Sequence, residues 1–102
     1  MSEYCAELLE RARSLGDLAA ERSEAQLLCA AVCLELRAAV HACPGARERI
    51  AIHYLLLTEH AEVRPQLGLA KRYARRAWRW AASAELGAPS PAELQSAAHA
   101  DA

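Results

Sequence analysis

Hydrophobic residues recur along this chain at the spacing of helix turns, and short segments rich in Gly, Pro and polar residues separate the runs. The apolar positions of the first run share one helix face: Tyr4, Leu8, Ala12 and Leu15. The pattern predicts a first helix from Glu3 to about Leu15, with Ser2 as its N-cap and an interruption at Gly16-Asp17.

The second run predicts a long helix from about Leu18 to Ala42. Two residues could cap it, Asp17 or Ser23, and Ser23 with Gln26 forms a capping-box pattern. Its apolar positions form a face broader than one neighbouring helix covers: Leu27, Leu28, Ala31, Val32, Leu34, Leu36 and Val40.

The third run follows the turn sequence CPGAR and predicts a helix from about Arg47 to Ala61. Its middle has little polar surface, so we expect it to be the central and most buried helix. A second break surrounds Pro65.

The fourth run predicts a helix from about Gln66 to Leu86 in which aromatic and cationic residues lie on different faces. Its basic face consists of Lys71, Arg72, Arg75, Arg76 and Arg79. Its apolar face carries Tyr73, Trp78 and Trp80, with alanines between them. The sequence SPAE at 90–93 predicts a short fifth helix to about Ala98.

Composition supports an all-α fold. Leu, Ala, Glu and Arg dominate the 102 residues and Phe is absent. We predict one helical domain over residues 1–98 and a frayed tail over residues 99–102. Four main helices would form two antiparallel helical hairpins, either repeat-like or as a closed bundle, followed by the short C-terminal helix.

Charge is unevenly distributed although the net charge is only −1. Residues 1–62 hold ten acids against six arginines, and residues 63–84 hold six cations and no acid. The basic face could therefore neutralise phosphates of a nucleic acid. It could instead be a solvated face, or pair with acids of the first two helices or of a partner. The acidic excess of residues 1–62 favours pairing, and the aromatics on the apolar side are poorly placed for stacking on bases.

Candidate chemistry is sparse. Cys29 and Cys33 are one turn apart on a helix and could hold a soft metal ion, whereas zinc would need two more ligands, such as His41 and Cys43. Cysteine is among the most buried residue types, so we expect a core position for this pair.

A second group, His53, Glu59, His60 and Glu62, suggests imidazole–carboxylate chemistry, but its spacing is not that of a bundle metal site. We expect a partly buried, hydrogen-bonded His53. No phosphate loop or catalytic constellation is present, so we predict neither an enzyme nor a cofactor.

No leader or membrane segment is expected. Ser2 to Glu10 has the pattern of a polar helix, and the longest apolar stretch, LLCAAVCLEL, is too short to span a bilayer. We therefore expect a cytoplasmic protein with reduced cysteines and no membrane partner.

The helix pattern resembles tetratricopeptide-type helical repeats. In YARRAWRWAASAELGAP, residues 73–89, the positions of Ala77, Ala84 and Pro89 match the second helix of such a unit. The Trp-Leu-Gly signature of the first helix is missing. The resemblance implies a fragment of an α-solenoid that binds a peptide or partner helix, as small bacterial adaptors and secretion chaperones do.

The predicted function is protein binding by an adaptor, chaperone or regulatory subunit. The second and third helices carry more apolar surface than a bundle of this size can bury, so part of it should contact another protein or a second copy of this chain. The residues predicted for that surface are Leu27, Leu34, Tyr54, Leu56 and Trp78. A nucleic-acid-binding protein that uses the basic face and a metal carrier that uses the cysteines are the alternatives.

Overall fold

In a computed structural model, the protein is described over residues 2–41 and 45–86, and every regular element in those ranges is an α-helix. The five helices are α1 (Glu3–Ser14), α2 (Gly16–Ala20), α3 (Glu24–Val40), α4 (Ala46–Glu59) and α5 (Leu67–Leu86). The predicted all-α class is confirmed. The helix and tail predicted after Ser90 lie outside the described residues, and the arrangement as two hairpins stays a prediction.

Serine caps begin two of the long helices, as their sequences predict. The Ser2 hydroxyl accepts a hydrogen bond from the Cys5 backbone N–H at 3.2 Å. At α3 the Ser23 hydroxyl accepts from the Gln26 N–H at 3.2 Å, while Gln26 Oε1 accepts from the Ser23 N–H at 2.9 Å. These bonds satisfy backbone donors that the first helical turn leaves unpaired.

The predicted start of the second helix at Leu18 is wrong, whereas the alternative start after the Ser23 cap is confirmed. The chain forms the short helix α2 first, and Asp17 lies inside α2. Ser23 then has an extended backbone, with φ −76° and ψ 162°, so α2 and α3 cannot be continuous. The reciprocal capping bonds of Ser23 favour this break because they require a non-helical N-cap.

Helix α4 occupies the centre of the fold, as its composition predicts. It packs against α1, α3 and α5, and its contact with α5 is the most extensive. Its N-cap, Gly45, has φ +74°, a left-handed conformation that glycine adopts without a steric penalty. Buried residues cover several sides of this helix: Ala46, Ile50, Ala51, Ile52, Tyr54, Leu55 and Leu57.

The remaining core residues are mostly small. They come from all the other helices and from the connection between α4 and α5: Leu8, Ala12, Ala19, Leu27, Ala31, Ala38, Val63, Tyr73, Ala77 and Ala81. Alanines at these positions let helices approach closely, because little side-chain volume separates their backbones. On α5, Ala77 and Ala81 are fully buried, and α5 packs most extensively against α4.

The connection between α4 and α5 is held to the turn after α2 by His60. Its Nδ1 accepts a hydrogen bond from the Glu62 backbone N–H at 3.1 Å, so the ring proton is on Nε2. Nε2 donates to the Arg22 carbonyl oxygen at 2.7 Å. The side chain of His60 thus has a structural role in joining two loops.

Candidate functional site

Helix α3 presents an apolar face to solvent along most of its length. We call this face the α3 stripe, and it consists of Cys29, Val32, Cys33, Leu36 and Val40. Leu36 is 63% exposed and Val40 is 67% exposed. The spacing i, i+3, i+4, i+7 and i+11 places all five on one side of the helix. Single exposed apolar residues are common, but a contiguous row of them marks an interaction site.

The stripe exists because α3 is apolar on two opposite sides. One side, with Leu27, Ala31 and Ala38, is buried in the core, and α4 is the helix that α3 contacts most extensively. The other side is left in solvent. Arg37 is the one cation within Glu24–Val40, and its exposed position borders the stripe.

A groove of about 480 Å³ lies between α3 and α5, next to the stripe. Apolar side chains of both helices line it, namely Leu28 and Val32 of α3 and Leu69 of α5. Tyr54 and Tyr73 lie at its base, where both rings are almost fully buried. Four arginines of the basic face form its edge on the α5 side: Arg72, Arg75, Arg76 and Arg79.

A polar cluster beneath the groove joins α3, α4 and α5. Arg76 Nε donates to Glu35 Oε1 at 3.0 Å and Arg76 Nη2 donates to Glu35 Oε2 at 2.5 Å. The Tyr54 hydroxyl donates to the same carboxylate. The Arg76 guanidinium also lies over the Tyr54 ring, 5.3 Å from its centroid, at cation–π distance.

Tyr73 lies next to this cluster, with its ring centroid 6.0 Å from that of Tyr54, and both tyrosines have raised pKa values. Burial, followed by the hydrogen bond to Glu35, raises the pKa of Tyr54 to about 12. Burial, followed by the hydrogen bond to Glu24 at 2.8 Å, raises the pKa of Tyr73 to about 12. The hydrogen bond to Glu35 is also the largest cause that raises the pKa of Arg76. The cluster is therefore a neutral-hydroxyl and ion-pair network that holds the groove in shape.

All five residues of the basic face are exposed, but they differ in ion pairing. Arg76 pairs with an acid of α3, as the pairing alternative predicts. Lys71, Arg72, Arg75 and Arg79 are exposed, and the described residues give none of them an ion pair. Their charges face solvent.

The aromatics of α5 differ in burial, as expected for Trp78 at one edge of the apolar face. Tyr73 is buried, whereas Trp78 is half-buried and lines a shallow depression with Lys71, Arg75 and Arg79. At 100° per residue Trp78 lies at the edge of the apolar face, where it packs against the core and borders the basic face.

The residues predicted to contact a partner are only in part accessible. Leu27 and Tyr54, 3% and 1% exposed, lie in the core, so the expectation that they face a partner is wrong. Leu34, Leu56 and Trp78 are half-buried, and Leu56 lines a different cavity, of about 330 Å³, beside α1 and α2.

The apolar pattern of α3 did not separate the exposed residues of the stripe from the buried ones. Arg37 could have identified the exposed side of α3. An unpaired charge on a helix faces water, and residues on the same side of the helix share its exposure. Cys33 and Val40, four residues before and three after Arg37, lie on that side. The opposite side then holds Leu27 and Ala31, which the structure buries.

The expectation that Cys29 and Cys33 lie in the core is also wrong. Both are exposed, because the stripe, where they lie, faces away from α4. Within the described residues, no group of three or more His, Cys, Asp or Glu side chains could hold a metal ion. The two thiols are thus a pair of donors on an open surface, and Cys43 lies outside the described residues.

The second candidate group also has a structural explanation in this fold. His53 is half-buried and its Nδ1 forms a hydrogen bond with the Arg49 carbonyl oxygen at 2.7 Å, as predicted. His60 joins two loops through its own hydrogen bonds. Both imidazole rings thus form hydrogen bonds with backbone groups.

In the part of the chain described here, no helix combines the length and the hydrophobicity that a membrane crossing needs.

Neither a protein-family model, nor a curated protein, nor a solved structure matches this chain. The resemblance to tetratricopeptide repeats thus depends on the matched residues of α5 and its C-terminal flank alone. Any assignment of function has to come from the surface itself.

Proposed function

We propose that this protein is a small α-helical interaction module, an adaptor, chaperone or regulatory subunit, that binds a helix or peptide of another protein along the α3 stripe. The observation that carries the proposal is the row of exposed apolar residues centred on Leu36. A partner helix would remove this row from water. Each Å² of apolar surface buried in this way would stabilise the complex by about 25 cal/mol. Apolar anchors at helical spacing suit the binding of a helix in a groove.

The fold supports this use of α3. Its inner side is fixed to the core by Leu27, Ala31 and Ala38, so its outer side is presented on a rigid element. The arrangement of the helices as two hairpins stays part of the proposal, and the packing of α4 against α5 supports the second hairpin alone.

We also place the protein in the cytoplasm. The support is that Cys29 and Cys33 are exposed free thiols in the middle of the stripe. Exposed thiols persist where the compartment keeps cysteines reduced, and oxidation would add a covalent link or a polar group to an apolar surface.

The test uses a displayed library of helical peptides of about 18 residues, roughly five turns, selected against this protein. Leu36→Ser removes the one leucine of the stripe, and we expect the selected peptides to lose affinity by about tenfold or more. Leu18→Ser is the matched control, because Leu18 is equally exposed, at 65% against 63%, but lies on α2. Equal affinities for the two variants would contradict the proposal.

A second candidate, nucleic-acid binding, has one observation in its favour. Trp78 lies beside Lys71, Arg75 and Arg79, and an aromatic ring among cations suits contacts with bases and phosphates. With four to five phosphate contacts, the logarithm of the duplex DNA association constant should fall against the logarithm of salt concentration with a slope of about −4. Absence of binding at low salt would exclude this candidate.

A further inference from the structure

We propose that the partner of the α3 stripe is an acidic amphipathic helix. Its apolar side would lie on Leu28 and Val32 in the groove between α3 and α5, and its carboxylates would pair with Arg72, Arg75 and Arg79. This inference rests on the proposed function and adds the chemistry of the partner.

The first argument is that the groove joins an apolar surface to a basic one. Val32 belongs both to the stripe and to the groove, so the two surfaces are continuous. From Val32 the groove runs to Leu69 and then to the arginines of α5. A helix that lies here needs an apolar side toward α3 and a negative edge toward α5.

The second argument is that the positive charge of the edge is not neutralised by the groove's own acids. Glu35 is occupied by Arg76 and the Tyr54 hydroxyl. Glu24 accepts the hydroxyl of Tyr73. Residues 63–84 contain no acid at all. Among the described residues Arg72, Arg75 and Arg79 form no ion pair, so carboxylates of a partner would complement them.

The third argument concerns spacing. Arg72, Arg75 and Arg79 are at i, i+3 and i+7, so they follow one side of α5 over about 10 Å, at 1.5 Å per residue. Glutamates at the same intervals on a partner helix form an edge of the same length. Exposed ion pairs of this kind contribute little to affinity one by one, so they orient the helix and speed its association more than they strengthen binding.

The fourth argument distinguishes a helix from a nucleic acid. Bases gain affinity by stacking on exposed aromatic rings. The two rings in this groove, Tyr54 and Tyr73, are buried at its base and hydrogen-bonded through their hydroxyls. Leucine and valine line the accessible part, and these side chains suit the apolar face of a helix.

The experiment uses a displayed library of amphipathic helices of about 18 residues. Their apolar positions are Leu and Ala, and their polar positions are drawn equally from Glu, Lys, Gln and Ser. We expect selection on this protein to enrich Glu over Lys at the polar positions on one side of the helix. Selection on the triple variant Arg72→Ser, Arg75→Ser, Arg79→Ser should lose this enrichment, and the acidic peptides should bind it about tenfold more weakly.

The control for charge is Arg64→Ser, because Arg64 is exposed in the connection before α5 and does not line the groove. Helical circular dichroism of each variant shows that the fold is intact. Retained Glu enrichment on the triple variant would overturn the inference, as would loss of enrichment on Arg64→Ser.

Other outcomes separate this inference from the proposed function. Peptides that bind through Leu36 but carry neutral or basic polar positions would overturn the acidic partner and leave the proposed function in place. Failure to recover any peptide whose binding depends on Leu36 would overturn both.

A molar mass that doubles at micromolar concentration in the wild type, but not in the triple variant, would assign the arginines to a second copy. Tighter binding of duplex DNA than of any selected peptide, lost in the triple variant, would assign them to nucleic acid.

Discussion

At the residue scale, Glu35 determines which part of the basic face is open to a partner. Its carboxylate accepts hydrogen bonds from Tyr54 and from two nitrogens of Arg76, and so joins α3, α4 and α5. Arg76 therefore stabilises the fold, whereas Arg72, Arg75 and Arg79 face solvent. Five cations with similar positions in the sequence thus divide into two roles.

The same cluster predicts a loss of stability at alkaline pH. The pKa of Tyr54 and of Tyr73 rises from 10.0 to about 12 on folding, so folding favours the protonated hydroxyls. This stabilisation is fully present below pH 10 and is lost as the pH rises toward about 12. Urea unfolding across this range should show the free energy of unfolding falling with pH.

The double variant Tyr54→Phe, Tyr73→Phe isolates the tyrosine contribution, because lysine and cysteine groups also titrate in alkaline solution. Its free energy of unfolding should depend less on pH between 10 and 12 than that of the wild type. Identical slopes in the two proteins would show that the hydroxyls of this cluster do not contribute.

The burial of individual side chains was harder to predict than the positions of the helices. Helix α3 is apolar on two sides, so its period alone could not tell that Leu27 is buried and Leu36 exposed. Tyr54 lies on α4, where almost every side is covered, and its hydroxyl needed the distant Glu35 as an acceptor. The exposed cysteines differ from the usual burial of their residue type because their side of α3 faces no other helix.

At the element scale, the contact between α4 and α5 depends on small side chains of α5. Ala77 is fully buried in this contact region, so Ala77→Leu should force the helices apart and lower the free energy of unfolding by about 1–3 kcal/mol. Ala82→Leu on the exposed side of the same helix should change it by about 0.5 kcal/mol or less. Urea unfolding of both variants is the measurement. An equal change in the free energy of unfolding for the two variants would mean that Ala77 does not lie in a tight contact.

Helix boundaries follow from local chemistry where a cap is present. Ser2 and Ser23 mark the starts of α1 and α3, and the reciprocal bonds of Ser23 explain why this start is sharp. Helix α2 was not predicted, because five residues are too few to show a helical period. Its Ala19 is buried in the core, so tertiary contact supports it.

At the scale of the whole molecule, the described surfaces differ in charge and polarity. The exposed side of α1 carries Glu3, Glu7 and Glu10, whereas the exposed side of α5 is basic and the outer side of α3 is apolar. The helical periods of α3 and α5 predict amphipathic elements, but only the packed arrangement shows that the apolar and basic surfaces meet in one groove. That junction is the basis of the inference that the partner is an acidic helix.

The reactivity of Cys29 and Cys33 tests most directly whether another protein covers the α3 stripe. Both thiols lie within the stripe, and the half-buried Cys5 on α1 is an internal reference. Cells that naturally produce the protein and dilute purified protein would each receive a brief pulse of N-ethylmaleimide, and mass spectrometry would give the labelling of each cysteine.

We predict that in cells Cys29 and Cys33 are labelled several-fold more slowly, relative to Cys5, than in the purified protein, because a bound partner excludes the reagent from the stripe. The same ratios in cells and in purified protein would mean that the stripe is uncovered where the protein works, and would contradict the account.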